Sequence, residues 1–310
     1  MKKTLSKLLS RLPLLRTLTH RVPPYYVGGV LENRLGWQLA RILLSPKTHY
    51  PSSVLVPELA PHFEEIRQTG ITVIPNFLPE NEAEEIRAEA KTIESNMQFQ
   101  GLRRNHMIGY MEQACHTVPR SNPNSPAWRY LGANPLVSKL ATFTLGQEIS
   151  APDRIDFDFY RSISDPKAET NDIDAILHSD LHLDTVKIWY LLSDVTPENG
   201  PFVYAKGSHR RTKARLQHEY RKSIDNALLR TQRWERISPS RLTSRCEMKR
   251  VKLSDEDRQK LSIEETPITG PAGALIVANT FGFHCRGKFA PGQTRKWIQL
   301  GFRSYNRGLS

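Results

Sequence analysis

The sequence predicts an α+β fold whose core is a double-stranded β-helix, a jelly roll with flanking helices. Helix-like sequence is concentrated in the first third of the chain, and several well-separated strand-like runs follow it. Helical sequence does not recur between most of those runs, as a parallel α/β sheet would require. The interior of such a double sheet can hold a ligand cavity.

Taken in order, the chain opens with "MKKTLSKLLSRLPLLRTL". Leu5, Leu8, Leu9 and Leu12 fall at helical spacing on one face and Lys3, Lys7 and Arg11 on another, until Pro13 interrupts the pattern. This describes a short basic amphipathic helix. Its interleaved charges leave no uninterrupted apolar core for a secretory signal, and no stretch of the sequence is long enough to span a bilayer. Prolines in "RVPPYY", "SPKTHYPSS" and "VPELAP" make residues 1–61 an extension packed onto the domain, which is expected to occupy residues 62–310.

Within that domain, "TGITVIPNFLPENEAEEIRAEAKTI" predicts a short strand at Ile71–Ile74, a turn, and a helix with an acidic first turn starting near Pro79. Strand-like runs follow at "RIDFDFYRSI", "TVKIWYLLSDV", "GPFVYA", "GALIVAN" and "RKWIQLGFRSY". A polar helical stretch near Arg210–Arg236 marks an insertion over about 210–262. Gly and Pro in "GKFAPGQ" supply a turn between "ALIVAN" and "RKWIQLGF". If those two runs form a hairpin, His284 and Arg295 become cross-strand neighbours.

Composition narrows the partners. The formal net charge is +12, and it is concentrated in two blocks: nine Lys/Arg against one Glu in residues 1–47, and fifteen against four acidic residues in residues 206–252. Two basic blocks on an acidic body point to an anionic partner, either a membrane surface or a charged substrate. Nucleic acid is the weaker version, because aromatic interleaving and an RNA-binding signature are lacking. Cys115, Cys246 and Cys285 are odd in number and far apart, which argues against a disulfide framework or a zinc knuckle. A reducing cytoplasm is the expected location, with peripheral attachment at the inner face of the membrane as its extension.

The chemistry is concentrated in "ILHSDLHLDTVKIW", which holds two overlapping His-x-Asp pairs, His178/Asp180 and His182/Asp184. On a strand, residues two apart share a face, so either pair can present two metal ligands to one pocket. Spacing alone leaves both open. "HSDLHLDTVKIWYLLSDVTPENGPFVYAKGSHR" together with "ALIVANTFGFHCRGKFAPGQTRKWIQLGFR" resembles the phytanoyl-CoA dioxygenase family of iron(II) and 2-oxoglutarate oxygenases, and "TGITVIPNFLPENEAEEIRAE" resembles that family's opening segment. The resemblance covers about residues 62–305. Lys206 departs from the Pro the family often has before "GSH", and Asp184 stands where Pro is common.

That resemblance implies a set of roles. Aligning the family's K-x-W strand with Lys187 and Trp189 places the ligand pair on His178 and Asp180, with His284 as the third ligand. Two neutral imidazoles and one carboxylate on a single face suit iron(II) and leave positions for 2-oxoglutarate and O2. Arg295 is implied as the anchor for the far carboxylate of 2-oxoglutarate, since a guanidinium fork pairs with a carboxylate through two parallel hydrogen bonds. Arg286 is the competing anchor. Trp189 and Tyr160 are candidates to face the cosubstrate, although each also reads as ordinary core. Lys206, Arg210 and Arg211 are candidates to reach an anionic substrate, His209 reads as a turn residue, and Cys285 reads as a small buried filler or an oxidation site. The implied reaction is hydroxylation, and Asp180 disfavours halogenation by filling the position a halide would take. Apart from the resemblance, the basic amino-terminal helix and the second basic block favour an anionic, lipid-linked sugar or acyl substrate over a small neutral molecule. Two other readings of the same residues stand beside it: a metal-dependent hydrolase or isomerase on a cupin-like barrel, and a non-catalytic protein that binds anionic surfaces.

Overall fold

The computed structural model describes residues 28–44, 56–97, 100–101, 111–149, 151–152, 154–162, 175–180, 184–234 and 251–302. The amphipathic stretch at Leu5–Leu12, His182 and much of the second basic block lie outside these residues. In chain order the helices are α1 (Val30–Arg34), α2 (Trp37–Leu44), α3 (Ala60–Thr69), α4 (Glu80–Ser95), α5 (Pro135–Leu145), α6 (Lys213–Trp234) and α7 (Asp255–Lys260). The strands are β1 (Ile71–Ile74), β2 (Gln100–Gly101), β3 (Met111–Pro119), β4 (Arg154–Ser162), β5 (His178–Ser179), β6 (Val186–Leu191), β7 (Phe202–Ala205), β8 (Val251–Lys252), β9 (Glu265–Ile268), β10 (Leu275–Asn279), β11 (His284–Arg286) and β12 (Thr294–Gly301).

Two antiparallel sheets make the core: seven strands in the order β1-β10-β6-β12-β4-β3-β2, and five in the order β8-β5-β11-β7-β9. Their inner faces meet, with Trp189 of β6 against Phe202 of β7 at 4.6 Å between ring centroids. This is the predicted jelly roll. Strand alternation sorts the side chains of the larger sheet. Ile188, Tyr190, Leu275, Val277, Ile298 and Leu300 point outward into a cluster with Phe63, Ile86, Leu140 and Phe143 from α3, α4 and α5. Trp189, Leu191, Ile276, Ala278 and Trp297 point inward. Both faces are buried, so these strands read as near-continuous apolar runs.

Local chemistry explains where the flanking helices begin and end. α3 stops at Gly70, whose φ of 87° is left-handed and whose N–H bonds the Ile66 carbonyl. α4 starts after Pro79 with Glu80 and Glu82 in its first turn, where carboxylates favour the helix dipole. α5 has Asn134 as N-cap, its side chain accepting from the Leu136 amide, and Pro135 at the first position. The stacked pair Phe63 and Phe143, centroids 4.4 Å apart, ties α3 to α5, a contact of about 0.5–1.5 kcal/mol beyond its area.

The insertion helix α6 lies where the sequence predicts a polar helix, and it carries α1 and α2. Asn33 Nδ2 donates to the Ser223 carbonyl and Tyr220 Oη to the Arg34 carbonyl. No described helix is long and apolar enough to cross a membrane.

One expectation fails. β10 and β12 do not form a hairpin, because β6 lies between them in the larger sheet. His284 sits instead on β11 of the smaller sheet, opposite His178 and Tyr204, while Arg295 on β12 pairs with Tyr160. The turn in "GKFAPGQ" is real, but it joins strands of different sheets. His284 and Arg295 therefore approach the same space from opposite layers.

Candidate metal centre

Two short strands of the smaller sheet bring the candidate ligands together. His178 and His284 are antiparallel partners on β5 and β11, and the Asp180 amide donates to the Thr280 carbonyl at 3.2 Å, tying the two ligand-bearing segments to each other. One donor atom from each of His178, Asp180 and His284 lies within 4.8 Å of the others. His284 Nε2 is 3.6 Å from Asp180 Oδ1.

The hydrogen bonds around these side chains select their donor atoms. His178 Nδ1 is 2.7 Å from the Ile176 carbonyl and His284 Nδ1 is 2.9 Å from the Gly282 carbonyl. A carbonyl only accepts, so each Nδ1 carries the hydrogen and each Nε2 presents a lone pair. His284 Nε2 is buried without a hydrogen-bond partner. Such an atom costs free energy unless something fills its need, and two neutral imidazoles with one carboxylate fit a divalent iron.

Asp180 is held ionised. Its Oδ2 pairs with Lys187 Nζ at 2.7 Å. Burial acts to raise its pKa, yet the Lys187 ammonium beside it brings it well below the usual carboxylate range. Asp184 is bonded elsewhere, with Oδ1 accepting from Asn279 Nδ2 at 2.9 Å and Oδ2 pairing with Arg211. The second His-x-Asp pair thus has its carboxylate committed to a strut between α6's leading loop and β10, and Arg211 is engaged there too.

A cavity of about 190 Å³ opens beside the triad, walled by His178, His284, Lys187, Trp189, Phe202 and Arg295. Tyr160, Trp297, Gln299 and Arg286 complete its polar and aromatic lining. Arg295 is 1% exposed, and its Nε and Nη1 lack hydrogen-bond partners. Its guanidinium stacks on Trp297 at 3.8 Å and on Tyr160 at 4.4 Å. Burial lowers its pKa to about 10, which leaves it charged at neutral pH. A buried fork with unfilled donors facing a cavity suits a carboxylate. Arg286 lies two residues beyond His284 on β11 and adds positive charge close enough to oppose that of Arg295.

The remaining candidates separate clearly. Tyr160 and Trp189 both line the cavity, and Trp189 Nε1 donates to Gln299 Oε1. Cys285 also borders the cavity, and it is buried in an apolar cluster with Leu177, Val203 and Phe283, as a small filler would be. His209 sits in a turn packed against Gly70. Lys206 and Arg210 are exposed and do not line the cavity. In the sequence Lys187 serves only to set the register, and Trp297, Gln299 and Phe202 are not marked as site residues. Strand parity is the signal that could have found most of them, since Trp297 and Gln299 follow Arg295 by two and four residues and Lys187 precedes Trp189 by two.

Comparison with known proteins adds to this geometry. The family model for phytanoyl-CoA dioxygenase (PhyH) matches residues 66–279. No curated protein matches the chain. Among solved structures, the chain is similar to EctD from S. alaskensis with bound Fe, at 14% identity, covering 83% of this chain and 80% of that one with a TM-score of 0.49. It is also similar to the non-heme alpha ketoglutarate dependent carbocyclase SnoK from nogalamycin biosynthesis (18% identity, 82% and 85% covered, TM-score 0.44). A third similar structure is AviO1 from Streptomyces viridochromogenes Tue57 (12% identity, 82% and 100% covered, TM-score 0.45).

Proposed function

The chain belongs to the phytanoyl-CoA dioxygenase family, and from that membership we propose that it is an iron(II)- and 2-oxoglutarate-dependent dioxygenase that hydroxylates an anionic, lipid-linked substrate. One observation carries the cofactor assignment: two sets of buried, unpartnered donor atoms, His284 Nε2 and the Nε and Nη1 of Arg295, belong to residues that line one cavity. Iron(II), when bound, supplies oxygen activation and the oxidative decarboxylation of 2-oxoglutarate to succinate and carbon dioxide, coupled to oxidation of a substrate C–H bond.

The protein's own residues then have separable roles. His178 and His284 offer Nε2, because each Nδ1 is committed to a backbone carbonyl. Asp180 offers one oxygen while Lys187 holds the other. Arg295 receives the far carboxylate of 2-oxoglutarate, pre-aimed by its stacking between Tyr160 and Trp297. Arg286 supplements that positive field, and Trp189 with Phe202 closes the apolar wall that keeps water from the reacting centre. The metal-dependent hydrolase reading is disfavoured by the charged Arg295 fork, which serves a bound dicarboxylate and has no part in water activation.

The substrate class rests on the amino-terminal region. Leu31 on α1 and Leu35, the residue that caps its C-terminus, are 70% and 68% exposed, whereas Asn33 between them is buried and bonds α6. Leu43 on α2 is exposed as well. These leucines follow the basic amphipathic sequence of residues 1–12, a combination that favours peripheral contact with an anionic membrane, at about 1 kcal/mol per cation near the surface.

Anaerobic titration of the protein with iron(II) and 2-oxoglutarate tests the first part, with a metal-to-ligand charge-transfer band as the expected result and its absence as the refutation. Co-sedimentation with anionic vesicles at low and high salt tests the second. Equal, negligible pelleting under both conditions removes the membrane and leaves the oxygenase in place.

A further inference from the structure

Arg215 is a buried cation outside both sheets. It lies on the insertion helix α6, is 2% exposed, and every arm of its guanidinium is used. Nε donates to Glu219 Oε1 at 2.9 Å, Nη1 to the Ser208 carbonyl at 2.8 Å and Nη2 to the Phe281 carbonyl at 2.7 Å. Its plane lies over the rings of Phe281 and Phe283, at 4.1 and 3.8 Å. The residue between those two phenylalanines is Gly282, and Gly282 offers the carbonyl that receives His284 Nδ1.

The turn from β10 to β11 is held from several sides. Phe283 N–H donates to Ser208 Oγ at 2.8 Å, the loop residue whose carbonyl Arg215 also binds. Phe281 N–H donates to Asn279 Oδ1 at 3.0 Å, and Tyr204 Oη donates to the Asn279 carbonyl at 2.8 Å. Tyr204 also requires glycine at 282, since a Cβ there would lie 1.9 Å from its hydroxyl. Among these contacts Arg215 supplies the charged donor, and it grips the carbonyl adjacent to the one that aims the imidazole. His178 has a shorter support, the Ile176 carbonyl on its own strand approach.

We infer that Arg215 is a positioning residue of the metal centre: by fixing the Phe281–Phe283 turn it sets the ring plane and the tautomer of His284. This rests on the proposed metal site at His178, Asp180 and His284. It places part of the metal's affinity in a helix that lies outside both sheets. Groups that orient a metal-bound histidine through its second nitrogen commonly affect affinity by about 10- to 100-fold.

The test uses the full chain and Co(II) alone as probe, read by its ligand-field absorption, with circular dichroism following the fold. Arg215→Lys keeps a cation beside Glu219 but lacks the fork that reaches Phe281 and Ser208 together. It is expected to bind Co(II) at least about tenfold more weakly while remaining folded. If that variant does not fold, the pair Arg215→Gln with Glu219→Gln, which removes both buried charges, carries the same expectation. Tyr220→Phe loosens α6 from α1 without touching the turn, and is expected to bind Co(II) as the wild type does. Wild-type affinity in the folded Arg215 variant overturns the inference, as does equal weakening in Tyr220→Phe, which would mean general loosening of the helix. Failure of the wild type itself to bind Co(II) refutes the metal site on which the inference stands.

Discussion

His284 is the direct antiparallel partner of His178, and their rings meet with centroids 4.6 Å apart. Each imidazole gives its Nδ1 to the carbonyl two residues upstream, Gly282 in one case and Ile176 in the other. The same local device therefore aims two side chains that the sequence separates by more than a hundred residues. Because each carbonyl belongs to the chain just before its own strand, the orientation of each ring depends on how that approach is held.

His178→Ala, Asp180→Ala and His284→Ala are each expected to abolish iron-dependent succinate formation and tight Co(II) binding, because among the described residues the site offers three ligands and each variant removes one. Asp184→Ala is expected to keep metal binding. Its cost falls on stability, since it strips partners from Arg211 and Asn279, at about 1–3 kcal/mol. Isothermal calorimetry with Co(II) and urea unfolding separate the two effects. Loss of metal in Asp184→Ala at unchanged stability would reverse the assignment of the ligand pair.

Lys187 is expected to matter through Asp180. In Lys187→Met the carboxylate loses the ammonium 2.7 Å from Oδ2, and metal affinity should fall by about 10- to 100-fold. Lys187→Arg should restore part of it, because a cation returns to the same oxygen. Equal metal affinity in Lys187→Met and the wild type would reduce this ion pair to a surface contact.

Arg295→Lys is expected to raise the 2-oxoglutarate requirement far more than it changes iron affinity. Losing one of two charge-assisted hydrogen bonds costs on the order of 1.5–3 kcal/mol, or at least tenfold in binding. Arg286→Ala should have the smaller effect, since Arg286 is only half-buried while Arg295 is enclosed with unfilled donors. The charge-transfer band titrated with 2-oxoglutarate measures both. A larger defect in Arg286→Ala would move the anchor to the smaller sheet.

Strand length and burial set how much of this is visible in the sequence. Ile71–Ile74, "TVKIWYLL" and "ALIVAN" are legible because both faces of those strands are buried, which leaves near-continuous apolar runs. β5 and β11 have two and three residues, too few for any periodicity, and they are the strands that carry the histidines. The Gly-Pro segment after Arg286 reads as a turn and is one, but neither composition nor parity states which sheet each flanking strand joins. β3 is hidden for another reason: Gln113, Cys115 and Thr117 alternate with Ala114 and Val118 and reach the buried Asp156 and Asp158 on β4, so one of its faces is polar where it packs on a neighbour. In the sequence Arg215 is one cation of a basic block, and only the fold reveals that it is spent on backbone carbonyls and Glu219.

Acid should weaken the fold through His209. The ring lies against Gly70, its Nδ1 is buried without a partner, and burial lowers its pKa from the ordinary 6.5 to about 4, with Arg210 and Arg215 opposing protonation further and Asp184 favouring it. Between those values the unfolded chain takes up a proton that the native state refuses, so unfolding becomes easier as pH falls from about 6.5 towards 4 and the full contribution is present above that window. Discounted for partial exposure, the loss amounts to about 1–2 kcal/mol. His218, fully buried between Phe283 and Asp257 and likewise lowered to about 4 by burial, acts in the same direction. His209→Gln, which cannot titrate, should therefore flatten the acid limb without abolishing it. Urea midpoints measured at about pH 7.5 and about pH 5 check this: the gap between the two should shrink in His209→Gln, and an unchanged gap would show that this ring takes up its proton in the native state as readily as in the unfolded one.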